Sequence, residues 1–71
     1  MYYHLFDLQN SEVMESGKNS NNREELKDGL LSYISVDFSE NDRDWKIIKK
    51  MSVEEIAEMW EFAIQTTENK I

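Results

Sequence analysis

Apolar and polar residues form two short strand-like runs at the start of the chain. Residues 2–8 are mostly aromatic or branched, residues 9–12 are polar, and a second short run over residues 13–16 ends at Gly17. Two such runs joined by a few polar residues are typical of an antiparallel β-hairpin. The pattern therefore predicts a two-stranded β-hairpin over residues 1–17.

The alternation within this hairpin also predicts which face is buried. Successive strand residues point to opposite faces, so His4, Phe6 and Leu8 share one face. We assign Phe6 and Leu8, together with Met14, to the core, which leaves the other face, with Tyr3, Leu5 and Asp7, to solvent; the reverse register stays open. A two-stranded ribbon is only marginally stable alone, so it must pack on helices, and its edges can accept a strand from a partner.

A helical pattern follows the polar loop at residues 17–22. Asn22 followed three residues later by Glu25 has the spacing of an N-cap and its reciprocal acid, which predicts a helix over residues 22–35. Gly29 lies inside this helix and costs about 1 kcal/mol relative to alanine. Either close packing against another element or ordinary sequence drift would explain a glycine at this position. Apolar residues recur near helical spacing at Leu26, Leu30, Leu31, Tyr33 and Ile34.

The clearest local signal in the chain is a helix start in its last third. Ser52 and Glu55 match a capping box, and Met51 and Ile56 occupy the positions of a hydrophobic staple. A helix is therefore predicted over residues 53–67. Its apolar stripe consists of Val53, Ile56, Ala57, Trp60, Ala63 and Ile64.

Between these two helices, a further short helix is predicted over residues 39–50. Ser39 and Asp42 have a capping spacing, and Trp45 and Ile48 lie three residues apart, so they would share one helix face. The sequence leaves open whether this segment is a regular helix.

Together these elements predict an α+β fold in a single small domain, residues 1–71, with the two-stranded hairpin followed by two or three packed α-helices. The chain has no cysteine, which excludes disulfides and thiolate metal sites and suits a reducing compartment. Its first residues lack the pattern of a signal peptide, and no run approaches the roughly 18 apolar residues that span a membrane. We therefore expect a cytoplasmic protein that has no membrane contact.

The charge balance is acidic. Fifteen acidic against eight basic residues give a formal net charge of −7, which repels phosphate backbones and anionic lipid, so direct nucleic-acid binding is not expected. A basic cluster beside Trp45 could in principle contact phosphate. Acids flank it on both sides, so internal salt bridges are the favoured explanation. The cluster comprises Arg43, Lys46, Lys49 and Lys50.

No motif predicts catalysis, a cofactor or a metal site. His4 is the only histidine, and no cysteine is available to pair with it. With only two glycines, no phosphate-binding glycine loop can be written. The oxygen-rich connection that starts at Asp37 fails as a calcium loop, because Asp42 and Ile48 stand where glycine and glutamate are required. We therefore predict that the protein is not an enzyme and holds no cofactor and no metal.

One charged feature suggests a protein partner. Glu54, Glu58 and Glu61 would lie on the outer side of the predicted helix, the latter two roughly 6 and 10 Å along its axis from the first. A rigid row of carboxylates can imitate a nucleic-acid backbone and occupy a basic groove. An ordinary solvated helix face is the alternative explanation. The candidate partner-binding residues are Glu54, Glu58, Glu61, Asp37, Glu40, Asp42 and Asp44.

The sequence therefore predicts a non-enzymatic protein-binding module, most simply a small acidic inhibitor or regulator that occupies a basic surface of a nucleic-acid-handling protein. Antitoxins, immunity proteins, and anti-restriction or anti-CRISPR proteins of mobile elements are alike in size and charge, although no motif links the chain to them. The alternative is a structural or adaptor domain that acts by self-association or apolar contacts, with an acidic face that serves only solubility. Aromatic side chains that the small core does not enclose, such as Trp60, could then anchor a homodimer.

Overall fold

The computed structural model describes all residues, Met1–Ile71, and has the predicted α+β class. A three-stranded antiparallel sheet is combined with three α-helices and one 3₁₀ turn. None of the helices has the length and apolarity that crossing a membrane requires. The elements in chain order are β1 (Tyr2–Asp7), β2 (Glu12–Val13), α1 (Arg23–Ile34), the 3₁₀ turn (Ser35–Asp37), α2 (Arg43–Ile48), α3 (Val53–Met59) and β3 (Phe62–Thr67).

β1 is the central strand of the sheet, whose order is β2-β1-β3. β2 pairs with β1 over two residues only. β3 pairs with β1 along its whole length, from Tyr2 opposite Thr67 to Asp7 opposite Phe62. The predicted hairpin is therefore present, but it forms part of a larger sheet whose third strand comes from the other end of the chain.

The predicted helix over residues 53–67 is wrong beyond Met59. Glu61 adopts a left-handed backbone with a φ of 59°, which ends the helical path. The segment Phe62–Thr67 then forms β3, because aromatic and β-branched residues favour strands and β1 offers backbone partners along the whole segment. Pairing with β1 therefore overrides the local helical pattern.

The buried face of the hairpin is the reverse of the one assigned from the sequence. Leu5 is fully buried, whereas Phe6 is half-buried and Leu8 is 55% exposed. The cause is the packing of the helices, which places Leu26 of α1 in one core with Leu5. Met14 is buried as predicted.

Two helix starts use the side chains that the sequence pointed to. Asn22 caps α1 by accepting a hydrogen bond from the Glu24 backbone N–H at 2.7 Å. At the start of α3 the capping box is present: the Glu55 N–H donates to Ser52 Oγ at 3.2 Å, and the Ser52 N–H donates to Glu55 Oε1 at 3.3 Å. These caps satisfy backbone donors that the first helical turn leaves free.

The segment predicted at residues 39–50 contains a regular helix only at α2. Asp42 caps it, because its Oδ1 accepts a hydrogen bond from the Asp44 N–H at 2.8 Å. α2 buries Trp45, whose ring stacks on Phe38 at a centroid distance of 5.4 Å. This stacking ties the connection between α1 and α2 to the core.

The core lies between the helices and one face of the sheet. α1 approaches the preceding loop so closely at Gly29 that a side chain would not fit, and close packing therefore explains this glycine. The fully buried side chains are Leu5, Leu26, Leu30, Ile34 and Ile56.

Candidate functional site

Three of the predicted acidic residues surround one open depression beside α3. Glu54 and Glu58 lie one helical turn apart on α3, and Glu61 follows just after its end. We call these three residues the acidic rim. The depression has a volume of about 360 Å³, and its other lining residues are Leu8, Ala57, Phe62 and Ile64.

Glu61 reaches the rim by a route that the sequence did not predict. It does not continue the helix but lies in the turn between α3 and β3, where its backbone oxygen accepts a hydrogen bond from the Leu8 N–H at 3.1 Å. Its side chain accepts a hydrogen bond from Gln9 Nε2 at 2.9 Å. An amide donor holds the carboxylate in place and leaves its negative charge uncompensated.

Glu54 differs from the other two members of the rim, because it forms a salt bridge with Arg23 at the start of α1. The Arg23 guanidinium also lies over the Tyr3 ring, 5.5 Å from its centroid. Both side chains of the pair are about half exposed, so the pair adds little to stability. Much of the Glu54 charge is compensated within the chain.

The uncompensated charge of the rim therefore belongs to Glu58 and Glu61. Only one other ion pair forms in the chain, between Lys18 and Glu15. The two carboxylates are exposed and lie beside apolar surface rather than beside lysine or arginine. Such groups are available to a cation supplied by another molecule.

Asp37 is brought to the same side of the molecule by the fold. It ends the 3₁₀ turn and lines a second depression, of about 350 Å³, together with Asp7 and Glu61. Because Glu61 lines both depressions, Asp37 extends the acidic surface beyond the rim.

The remaining predicted acids lie elsewhere. Asp42 is occupied in capping α2, and Glu40 is exposed in the connection before that helix. Asp44 lines a different, mostly apolar groove. None of these three residues lines either depression at the rim, so the single surface that the sequence suggested is divided.

The chemistry that the rim offers is negative charge next to apolar surface. The fold gathers no group of three or more histidine, aspartate or glutamate side chains that could hold a metal ion. Comparisons with known protein families, curated proteins and solved structures find no match. A functional conclusion therefore rests on the surface of this chain.

An open strand edge lies next to the rim, and the sequence reasoning missed it because it assigned this segment to a helix. In an antiparallel pair, residues alternate between hydrogen-bonding to the neighbouring strand and facing away from it. The bond from the Leu8 N–H to the Glu61 oxygen fixes the alternation, so the backbone groups of Phe62, Ile64 and Thr66 face away from β1. No strand lies on that side of β3.

An apolar groove lies between α2 and the C-terminal end of α3. Its volume is about 380 Å³, and Ile47 and Met59 on its wall are 54% and 58% exposed. Trp60 is half-buried there, in an edge-to-face arrangement with Phe38 at a centroid distance of 6.3 Å. We call this feature the apolar groove; its lining is Phe38, Asp44, Ile47, Ile48, Met51, Met59 and Trp60.

The basic cluster at α2 does not form the internal salt bridges favoured from the sequence. None of its four members lies in an ion pair of the chain. Lys49 instead places its Nζ over the Trp45 ring, 5.9 Å from the centroid. The cluster is therefore a solvated surface with one cation–π contact.

Asp7 is a buried carboxylate that sequence reasoning placed on the solvent side of the hairpin. It accepts a hydrogen bond from the Asn10 side chain at 2.9 Å and two more from the backbone N–H groups of Asn10 and Gln9. The Asn10 side chain first, and then the backbone donors, hold the pKa of the Asp7 carboxyl below its ordinary value, although burial acts in the opposite direction. The available signal was an aspartate just before a polar turn, where it can bond the backbone two residues on.

Proposed function

We propose that this chain is a non-enzymatic protein-binding module, a small acidic inhibitor or regulator that occupies a basic surface of a nucleic-acid-handling protein. In size and charge it is similar to antitoxins, immunity proteins, and anti-restriction or anti-CRISPR proteins. The observation that carries the proposal is the gathering of Glu54, Glu58 and Glu61 around one apolar depression. Charged and polar groups that surround apolar contacts are the usual anatomy of a protein interface.

The position of the rim on α3 supports a role in binding rather than in folding. Glu58 lies in the last turn of α3, and Glu61 follows its C-terminal cap. The helix dipole disfavours negative charge at this end, by roughly 0.3–1 kcal/mol per group. Apart from the exposed hydrogen bond from Gln9 to Glu61, fold stability therefore gives no reason for these two acids, whereas a basic partner does.

The overall charge supports the same kind of partner. A net charge of −7 attracts a basic protein and repels phosphate backbones. Exposed charges interact over about 8 Å at physiological salt, so the attraction should accelerate association and weaken as salt rises. The lack of cysteine suits a reducing compartment, and the proposal places the protein in the cytoplasm.

The test is affinity capture from a lysate of the native host with three tagged proteins. They are the wild type, a rim variant carrying Glu58→Lys and Glu61→Lys, and a control variant carrying Asp28→Lys and Glu40→Lys. Asp28 and Glu40 are exposed, lie in no ion pair and line neither depression of the rim, so the control changes the net charge equally. Captured proteins are washed at low and high salt and identified by mass spectrometry.

We expect the wild type and the control variant to retain one basic, nucleic-acid-handling protein at low salt. The rim variant should lose this protein. The same protein, once purified, should lose its nucleic-acid binding when the wild type is added. Equal retention by the rim variant, or equal loss in both variants, would contradict a role of this particular surface.

A second candidate function is supported by the apolar groove. The exposure of Ile47 and Met59 beside Trp60 fits a structural or adaptor domain that self-associates through apolar contacts. Light scattering separates the two functions. The adaptor function would be favoured if the wild type is a dimer, if the double variant Ile47→Ser with Met59→Ser is a monomer, and if no captured protein depends on the rim.

A further inference from the structure

The outer edge of β3 lacks the features that usually block strand addition. Natural edge strands are protected by proline, by charged side chains, by bulges or by being very short. β3 has six residues, Phe-Ala-Ile-Gln-Thr-Thr, with no charge and no proline, and its pairing with β1 is regular from end to end. Its outward backbone groups, at Phe62, Ile64 and Thr66, are therefore free to pair with another extended segment.

The open edge and the acidic rim are parts of one surface. Phe62 and Ile64 carry outward backbone groups, and they also line the depression that the rim surrounds. A strand paired with β3 would present alternate side chains to the face of the sheet on which α3 packs. On that face those side chains would meet the depression and the carboxylates of Glu58 and Glu61.

Charge decides which kind of strand fits this edge. Glu61 precedes β3 and Glu68 follows it, and neither is in an ion pair. In an antiparallel pairing of two copies of β3, these acids of the two copies would flank both ends of the paired segment. Each copy also carries a net charge of −7. Like charges across a strand pair are destabilising, whereas lysine or arginine at these positions is attracted.

We infer that the outer edge of β3 takes up an extended basic segment of the partner as a fourth strand of the sheet, with lysine or arginine side chains over Glu58 and Glu61. This inference rests on the proposed function, because it specifies how a basic partner would be held. Backbone hydrogen bonds would supply the affinity, and the rim and depression would select the sequence, as in other cases of strand addition.

The test uses a synthetic hexapeptide of alternating lysine and valine, and a control peptide of the same sequence whose alternate backbone nitrogens are methylated. The control keeps the charge but cannot pair as a strand.

On the protein, Thr66→Pro removes one outward N–H and leaves the hydrogen bonds to β1 intact, because proline is tolerated where the N–H faces solvent. Thr66→Ala is its matched control, since Thr66 is exposed. Ile64→Pro with Ile64→Ala is a second pair at the middle of the strand.

Amide hydrogen exchange and peptide titration give the readout. The lysine-valine peptide should slow exchange at Ile64 and Thr66, while Ala63 and Gln65, already bonded to β1, should change little. Each proline variant should bind the peptide roughly tenfold more weakly than its alanine control, which corresponds to the loss of about one hydrogen bond. The methylated control peptide should bind the wild type as weakly as the unmethylated peptide binds the proline variants.

The outcomes separate this inference from the proposed function. Peptide binding that the rim variant weakens but the proline variants do not would overturn strand addition and leave an acidic binding surface. If the proline substitutions weaken peptide binding but the rim substitutions do not, the claim that the added strand is basic would be overturned. Equally tight binding of an alternating threonine-valine peptide would overturn the same claim. No measurable binding of the lysine-valine peptide would overturn the inference, while the capture experiment would still decide the proposed function.

Discussion

Gly29 of α1 lies directly against Gly17 of the preceding loop, and a Cβ built on Gly29 would lie 2.7 Å from the backbone nitrogen of Gly17. The loop in turn adopts a left-handed backbone at Gly17, with a φ of 74°, where a Cβ would lie 2.8 Å from Leu5 Cδ1. The only two glycines of the chain therefore let the loop pack against the backbone of α1 on one side and against the Leu5 side chain of β1 on the other.

Gly29→Ala is therefore expected to destabilise the fold although it improves helix propensity. Alanine gains about 1 kcal/mol in a helix interior, but the Gly17 backbone must move, and overpacking costs roughly 1–3 kcal/mol. Urea denaturation should show a lower midpoint for Gly29→Ala and an equal or higher one for Ser32→Ala on the exposed side of α1. A gain of stability in Gly29→Ala would show that this close approach does not constrain the fold.

The capping box at α3 should be measurable in the same way. Ser52→Ala removes the acceptor of the Glu55 N–H and should lower the free energy of unfolding by about 1 kcal/mol. Ser52→Asn, which can still cap, should retain most of the stability. If both variants unfold at the same urea concentration as the wild type, α3 does not depend on this cap.

Asp7 should contribute to a pH dependence of stability. Its pKa is lowered in the folded chain, so the unfolded chain takes up the proton first as pH falls. The stabilisation is thus present above the ordinary pKa of 3.8 and is lost as pH falls from there through the lower folded value. Asp7→Asn should be less stable than the wild type at pH 7, and the difference should shrink below pH 3.8 in urea titrations. A difference that stays constant with pH would exclude this linkage.

The rim variant should fold at least as well as the wild type. Replacing Glu58 and Glu61 by lysine at the C-terminal end of α3 reverses an unfavourable interaction with the helix dipole. It gives up only the exposed hydrogen bond from Gln9. We expect unchanged far-UV circular dichroism and a free energy of unfolding within about 0.5 kcal/mol of the wild-type value. A large loss of stability would assign these acids a structural role instead.

Local signals in the sequence predict the helix starts of this fold better than its strands. The Ser52 and Glu55 pair marks the start of α3 because a capping box is contained within four residues. The end of α3 is set by a left-handed residue, Glu61, and by pairing with a strand at the opposite end of the chain. Ala63 and Ile64 fit the helical stripe as well as a strand, so only this distant pairing distinguishes them.

Contacts between distant parts of the chain also decide which face of the hairpin is buried and how the acidic residues are divided, so local patterns could not predict either. Phe6 and Leu5 are both apolar, and the position of the helices, which no local pattern contains, decides that Leu5 is buried. Helical spacing places Glu54 and Glu58 together, but the fold brings Asp37 toward Glu61 and keeps Glu40 apart. The candidate surface could thus be located in part from the sequence, and the open edge of β3 could not.

The most direct test of the binding account is the affinity of the captured partner for the wild type and for the rim variant, measured by titration at low and at physiological salt. The account predicts that Glu58→Lys with Glu61→Lys weakens binding at least about tenfold, as expected when charges facing a partner are reversed, and that wild-type binding weakens as salt rises. The control with Asp28→Lys and Glu40→Lys should bind nearly as well as the wild type. Equal affinities of the rim variant and the wild type, without a dependence on salt, would contradict the claim that this acidic surface is the binding site.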